Sequence, residues 1–212
     1  RVYFYPINEI NKKIYDEAWQ KLKGSIEVIN KTLKVKGRDL NITHSAGKYA
    51  KFTYDELCIK PLGVGDYLEI SKNFNVIFIS DIPKMDIKKR NEIKRFINLV
   101  DTFYEARRIL FILTEASPKD LLVGGKDAKI FQRTVSRLEE MQSADYLNNS
   151  ILEYSKMAMS MNYSVLFIIF NAIIHISPKE DAMKLLQQIR KILTLTGPLA
   201  RESASIAGSV AW

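Results

Sequence analysis

Two uncharged runs constrain this chain more than any other feature. Val76-Ile-Phe-Ile-Ser80 and Ile109-Leu-Phe-Ile-Leu-Thr114 are short and dominated by aliphatic and aromatic residues. Runs of that length without charge read as strands buried on both faces. Between them, Ile87–Ala106 places Ile93, Phe96, Ile97, Val100 and Tyr104 at helical spacing, which predicts an amphipathic helix. Strand, helix, strand is the crossover that builds parallel sheet with helices on its faces. The expected fold class is therefore α/β.

The flanking segments fit that class. Residues 2–5 suggest a short strand. Asn8 can cap a helix running through Lys21, with Ile10, Ile14, Ala18 and Leu22 as its apolar stripe and Tyr15 and Trp19 beside it. Lys31–Lys36 and Leu40–Thr43 alternate around Gly37-Arg38-Asp39, a hairpin signal. Phe52 marks a further short strand. Gly63-Val-Gly65 is too short for a dinucleotide loop and reads as a turn before a helix over Asp66–Asn73. Lys129–Leu147 predicts one long amphipathic helix, with Ile130, Phe131, Val135, Leu138 and Met141 apolar.

Net charge is +8. A basic balance fits polyanion partners. However, Lys outnumbers Arg 22 to 10 and is scattered among acids, the pattern of a solvated surface. Most aromatic residues fall at core spacing instead of alternating with cations on one face, which argues against nucleic acid. Cys58 is the only cysteine, so no disulfide framework or cysteine metal site can form within the chain, and a reducing, cytoplasmic setting is expected. His44 and His175 are too isolated for a metal centre or triad, and Asp55, Glu56 and Asp66 form no evident acid/base pair. Arg1-Val-Tyr-Phe-Tyr5 lacks the pattern of a leader peptide, and a start at Arg marks a piece of something longer or a processed product.

The character changes near Asn148. Met157–Ile176 carries no charge and is just long enough to span a bilayer as a helix, although Asn162, Asn171 and His175 would each need a partner in lipid. Three readings stand for 148–212: a buried helical appendage, a membrane segment, or fused sequence. Residues 1–147 and 148–212 are thus expected to be separate units.

The motifs occur in a distinctive order: Phe52-Thr-Tyr-Asp-Glu-Leu-Cys58, Pro61-Leu-Gly-Val-Gly-Asp66-Tyr67, Asn75-Val-Ile-Phe-Ile-Ser-Asp-Ile-Pro83, Lys94-Arg95-Phe96 through Tyr104-Glu105, and Thr134-Val-Ser136-Arg137-Leu138 through Gln142-Ser-Ala-Asp145-Tyr146-Leu147. That order resembles the C-terminal half of one AAA+ ATPase family, whose bacterial members are called the cell-division protein ZapE and whose mitochondrial relatives are the lactation-elevated proteins. The resemblance covers roughly residues 1–147. It implies a parallel-sheet, P-loop NTPase-like partial domain with a helical C-terminal extension. For the full-length protein it implies ATP and Mg²⁺ as ligands, and hydrolysis coupled to remodelling of protein partners, in bacteria at the division ring, by a homo-oligomer. The chain contains no Gly-x-x-x-x-Gly-Lys-Ser/Thr, so no nucleotide binding is expected of these residues alone. A non-catalytic binding or oligomerisation module is the rival class.

Several residues invite roles in such an enzyme. Val76–Asp81 imitates the strand that ends in a Mg²⁺-holding Asp, but Ile82 stands where the water-activating Glu would follow. Thr114 and Ser117 sit where a phosphate-sensing hydroxyl would sit, and equally suit a strand-end cap. Arg95, Arg107 and Arg108 are candidates for a cation offered to a neighbouring subunit; the last two also suit the C-terminal end of a helix dipole. Arg133 and Arg137 are four residues apart and repel on one helical face. A nucleotide phosphate would relieve this, and so would Glu140. Arg95 and Arg137 are the expected catalytic residues, and Arg133 and Arg137 the expected nucleotide contacts. No metal ligands are expected.

Overall fold

The structure, a computed structural model, describes residues 1–122, 128–159 and position 187. The chain divides into two compact units, Arg1–Ser150 and Ile151–Trp212. The first unit is built on a six-stranded mixed sheet. Its strands are β1 (Tyr3–Phe4), β2 (Ile29–Val35), β3 (Arg38–Ala46), β4 (Tyr49–Thr53), β5 (Val76–Ile82) and β6 (Ile109–Thr114), in the order β1-β6-β5-β4-β3-β2. β1, β6, β5 and β4 run parallel, whereas β3 and β2 add an antiparallel hairpin at one edge. The two uncharged runs are therefore adjacent parallel strands, with Ile77 opposite Leu110 and Ile79 opposite Ile112.

Each parallel connection in the series β4, β5, β6 is a helix. α2 (Val64–Asn73) leads into β5, and α3 (Arg90–Glu105) joins β5 to β6. Strand alternation sends Ile77, Ile79, Leu110 and Ile112 to the face where Ile70 of α2 and Phe96, Leu99, Val100 and Phe103 of α3 are buried. Leu99 and Phe103 carry more of the α3 seam than the expected Ile97 and Tyr104, which are only partly buried.

The opposite face is covered by α1 (Glu9–Lys23), capped by the Asn8 side chain accepting from the Asn11 amide at 2.8 Å. Here the expected stripe is wrong. Asn11, Tyr15, Trp19 and Leu22 are buried, whereas Ile10 is 71% and Ile14 42% exposed. Tyr15 and Trp19 meet the Phe78 ring edge-on at 5.3 and 5.2 Å, and Phe78 stacks on Phe111 at 4.4 Å. Large aromatic rings bury more area per residue than isoleucine, and both stripes have helical spacing. The aromatic stripe therefore wins the sheet.

Three smaller expectations are also corrected. The hairpin turn is Lys36-Gly37, with φ of 48° and 82°, as a two-residue primed turn requires, and Arg38 already belongs to β3. Gly63 is the N-cap of α2, so Gly65 lies inside that helix. The long helix over 129–147 is two. α4 (Ala128–Glu140) ends, and α5 (Ala144–Met159) begins after Ser143, whose hydroxyl accepts from the Tyr146 amide at 3.1 Å. That cap starts a new helix where periodicity alone suggests continuation. Among the described residues no helix is long and apolar enough to cross a membrane. Met157–Ile176 lies outside the described residues from position 160 onward.

Candidate functional site

In parallel sheets, ligand sites gather beyond the carboxyl ends of the strands. There β5 carries an extra residue opposite β6: Ile79 faces Ile112, but Ile82 faces Thr114. The extra turn of chain holds Asp81 at φ 61°, the left-handed region that non-glycine residues avoid. Asp81 is exposed and accepts from the Ser80 hydroxyl at 2.7 Å. Thr114 is fully buried, and its hydroxyl donates to the Ile82 carbonyl at 3.0 Å. The Glu115 amide donates to the same oxygen at 2.9 Å. Ser117 donates to Asp120 Oδ2 at 2.5 Å. Thr114 thus caps the strand end, whereas Ser117 ties the Asp120 side chain to the start of the short 3-10 turn Pro118–Asp120. No cluster of three or more metal-ligating side chains exists among the described residues. An open groove of about 380 Å³ lies nearby, lined by Tyr5, Ser117, Pro118, Lys119, Glu139 and Gln142, with the Lys119–Glu139 ion pair at 3.4 Å.

The arginines form a different cluster. Asp101 and Glu105 stand one turn apart on α3, a spacing at which like charges repel. Arg137 of α4 answers both: Nη2 donates to Glu105 Oε1 at 2.5 Å, and Nη1 is in close ionic contact with Asp101 Oδ1. Its guanidinium also covers the Tyr104 ring at 4.6 Å, and the side chain is only 9% exposed. Tyr104 in turn donates to Glu140 Oε2 at 2.8 Å, and this bond raises the tyrosine pKa. Tyr104 stacks on Tyr146 at 5.7 Å, and Arg107 lies over both rings. The Tyr146 hydroxyl donates to the Arg108 carbonyl at 3.1 Å, and burial pushes its pKa up. Glu140 therefore binds Tyr104, and the ion pair that neutralises Arg137 comes from α3.

Arg133, one turn earlier on α4, is exposed and bonds no other described residue. Arg95 is elsewhere. Its Nη1 donates to the Cys58 and Ile59 carbonyls at 3.0 and 3.3 Å, closing the C-terminal end of a π-helical turn over Asp55–Ile59. Ten residues separate Arg95 from Glu105 on α3, about 15 Å at the helical rise. The structure thus brings Arg133 and Arg137 together and leaves Arg95 apart. Sequence reasoning missed Asp101, Tyr104 and Glu105 as a unit. The signal available was the unfavourable Asp101/Glu105 spacing.

The mixed sheet with helical crossovers defines an α/β protein, and the family that its sequence matches makes it one of the P-loop NTPase-like, AAA+ type. The chain belongs to the AFG1-like ATPase family, whose model matches residues 1–150. It is 30% identical over 147 residues to cell division protein ZapE of Escherichia coli K12, covering 69% of this chain and 39% of that protein. It is 32% identical over 148 residues to lactation elevated protein 1 homolog B of Danio rerio, covering 55% of this chain and 29% of that one. The chain thus spans well under half the length of these relatives. No solved structure matches it.

Proposed function

We propose that these residues are the C-terminal part of an ATP-hydrolysing machine. Its full-length form couples Mg·ATP turnover to the remodelling of protein partners, as a homo-oligomer in the cytoplasm. The name of the bacterial relative suggests the cell-division apparatus as the setting. Membership of an ATPase family supports the enzymatic part of this reading. Residues 1–212 alone are proposed to be inactive, because they carry no Gly-x-x-x-x-Gly-Lys-Ser/Thr whose backbone amides and lysine would cradle the phosphates.

Within that reading, Arg133 is the residue proposed to reach nucleotide phosphate. The observation that carries this is its exposure one turn from an arginine already neutralised by two carboxylates. Guanidinium is permanently charged and binds phosphoryl oxygens bidentately. Arg137 is proposed to act by holding α4 against α3 so that Arg133 is presented. Arg95 is proposed to act by fixing the π-helical turn for a subunit contact. The test is steady-state ATP turnover of the full-length protein with Arg133→Ala, beside purified 1–212. Loss of turnover at unchanged melting temperature supports the assignment. Unchanged turnover, or turnover by 1–212 alone, overturns it.

A further inference from the structure

β2 ends the sheet, and the backbone along its outer side is open. The opposite edge, β1, is only Tyr3–Phe4, whereas β2 runs seven residues, Ile29–Val35. The hairpin fixes which groups face outward. Val35 and Arg38 flank the two-residue turn, so they exchange both backbone bonds, and alternation gives Leu33 and Lys31 the same role toward β3. Asn30, Thr32 and Lys34 therefore turn their amides and carbonyls away from the sheet. No described residue outside β3 bonds the backbone of β2. The extra residue where the two strands slip lies on β3: between the pairs Ile29–Ser45 and Lys31–Ile42, β2 has Asn30 alone and β3 has Thr43 and His44. β2 itself stays regular.

Natural edge strands are blunted by lysines that guard them. Both lysines here are engaged within the chain. Lys34 Nζ pairs with Asp39 at 2.5 Å, and Lys31 Nζ lies over the Phe74 ring at 5.2 Å. Ile29, by contrast, is 52% exposed. Thr32 is the middle residue of β2. An antiparallel second copy centred there sets Thr32 against Thr32, Asn30 against Lys34, Lys31 against Leu33 and Ile29 against Val35. Every outward amide and carbonyl of Asn30, Thr32 and Lys34 then finds a partner. The exposed isoleucine meets an aliphatic neighbour, and no lysine opposes a lysine, the pairing that would repel. A foreign strand requires no such self-complementarity.

We propose that β2 is a self-association edge: two copies of this chain pair antiparallel through Ile29–Val35 about a twofold axis at Thr32, joining two sheets into one. A single edge covers less surface than a standard interface, so the dimer is weak and its population rises with concentration. This adds a contact to the homo-oligomer of the function proposed above but rests on the strand edge alone. Its test needs no ATP, so its failure leaves that reading standing.

The experiment is analytical ultracentrifugation of the purified full chain over a wide concentration range, joined to oxidative cross-linking of a Thr32→Cys variant. The expected result is a monomer–dimer equilibrium. Thr32→Lys sets like charges against each other across the axis and should weaken it about tenfold or more at unchanged melting temperature. Thr32→Pro removes an amide that no β3 residue uses and should weaken it likewise. Residues that exchange both backbone bonds lie about 5.5 Å apart between Cα atoms, within disulfide reach, so Thr32→Cys should cross-link on oxidation. Cys58 is buried and takes no part. Asn41→Cys, one strand further in, should stay monomeric under the same treatment. Should the proline lower the melting temperature, the lysine variant and the cross-link decide. A monomer at every concentration, which leaves the edge to a foreign strand, overturns the proposal. So do dimers indifferent to the Thr32 substitutions, or equal cross-linking at Asn41.

Discussion

Arg137 Nη2 donates to Glu105 Oε1 at 2.5 Å, joining α4 to α3 across the edge of the core. The same guanidinium contacts Asp101 and covers Tyr104. Removing it leaves two carboxylates one turn apart without a counter-charge, beside a ring that loses its cover. Breaking a fully buried pair costs roughly 3–5 kcal/mol. Here Asp101 is 31% and Glu105 67% exposed, so solvent screens much of that. Arg137→Ala should destabilise by about 2 kcal/mol, read as a shift of the urea midpoint at constant slope. Arg137→Lys should recover only part of it, because an ammonium lacks the planar fork. Glu105→Gln alone should stay within about 0.5 kcal/mol, as for an exposed pair.

Arg133 separates the enzymatic role from the structural one. Its side chain is exposed, so Arg133→Ala should leave the melting curve unchanged. If the full-length protein hydrolyses ATP as proposed and Arg133 meets the transferring phosphate, the substitution should lower turnover by about 10³-fold or more, the low end for a transition-state arginine. Measuring turnover and melting on the same preparation decides the matter. A fall in both would move Arg133 into the structural group with Arg137.

Sequence pattern revealed the parallel centre of the fold because Val76–Ser80 and Ile109–Thr114 leave no alternative face for charge, and the helix between them must cross over. It misjudged α1, where two stripes share one periodicity and only the position of Phe78 on the sheet decides between them. It missed the break at Ser143, a single cap inside an amphipathic pattern. That Arg133 and Arg137 share one helical face was legible from their spacing. The counter-charges were not, since Asp101 and Glu105 meet Arg137 only through tertiary packing of α3 on α4.

The end of β5 offers a paired test. Thr114 Oγ1 and the Glu115 amide share the Ile82 carbonyl. Thr114→Val keeps the volume and removes one of two donors, so it should cost about 1 kcal/mol, the usual net worth of a hydrogen bond. In the full-length protein it should leave ATP turnover within about twofold, because a hydroxyl buried on a carbonyl is no phosphate sensor. Asp81 at φ 61° bears a backbone cost of about 1–2 kcal/mol for an ordinary side chain. Asp81→Val should therefore destabilise by about that amount, and Asp81→Gly should stay within about 0.5 kcal/mol as backbone relief offsets the lost Ser80 bond.

Alkaline pH should unfold the first unit cooperatively. Burial pushes the pKa of Tyr3, Tyr15, Tyr49, Tyr54, Tyr67, Tyr146 and the Cys58 thiol upward. In the unfolded chain these groups titrate near their ordinary values, about 8.5 for the thiol and about 10 for the phenols. Above those values the unfolded state has lost protons that the folded state keeps, so stability falls as pH rises. Below about pH 8 the protons are bound in both states and the contribution is fully present. Each such group contributes a slope of about 1.4 kcal/mol per pH unit in that window. The unfolding free energy of residues 1–150 should thus be flat with respect to these groups at neutral pH and decline steeply above about pH 9. Tyrosinate absorbance should appear together with the loss of far-ultraviolet circular dichroism. Tyrosinate absorbance rising gradually ahead of unfolding would show that the phenols reach solvent in the folded chain.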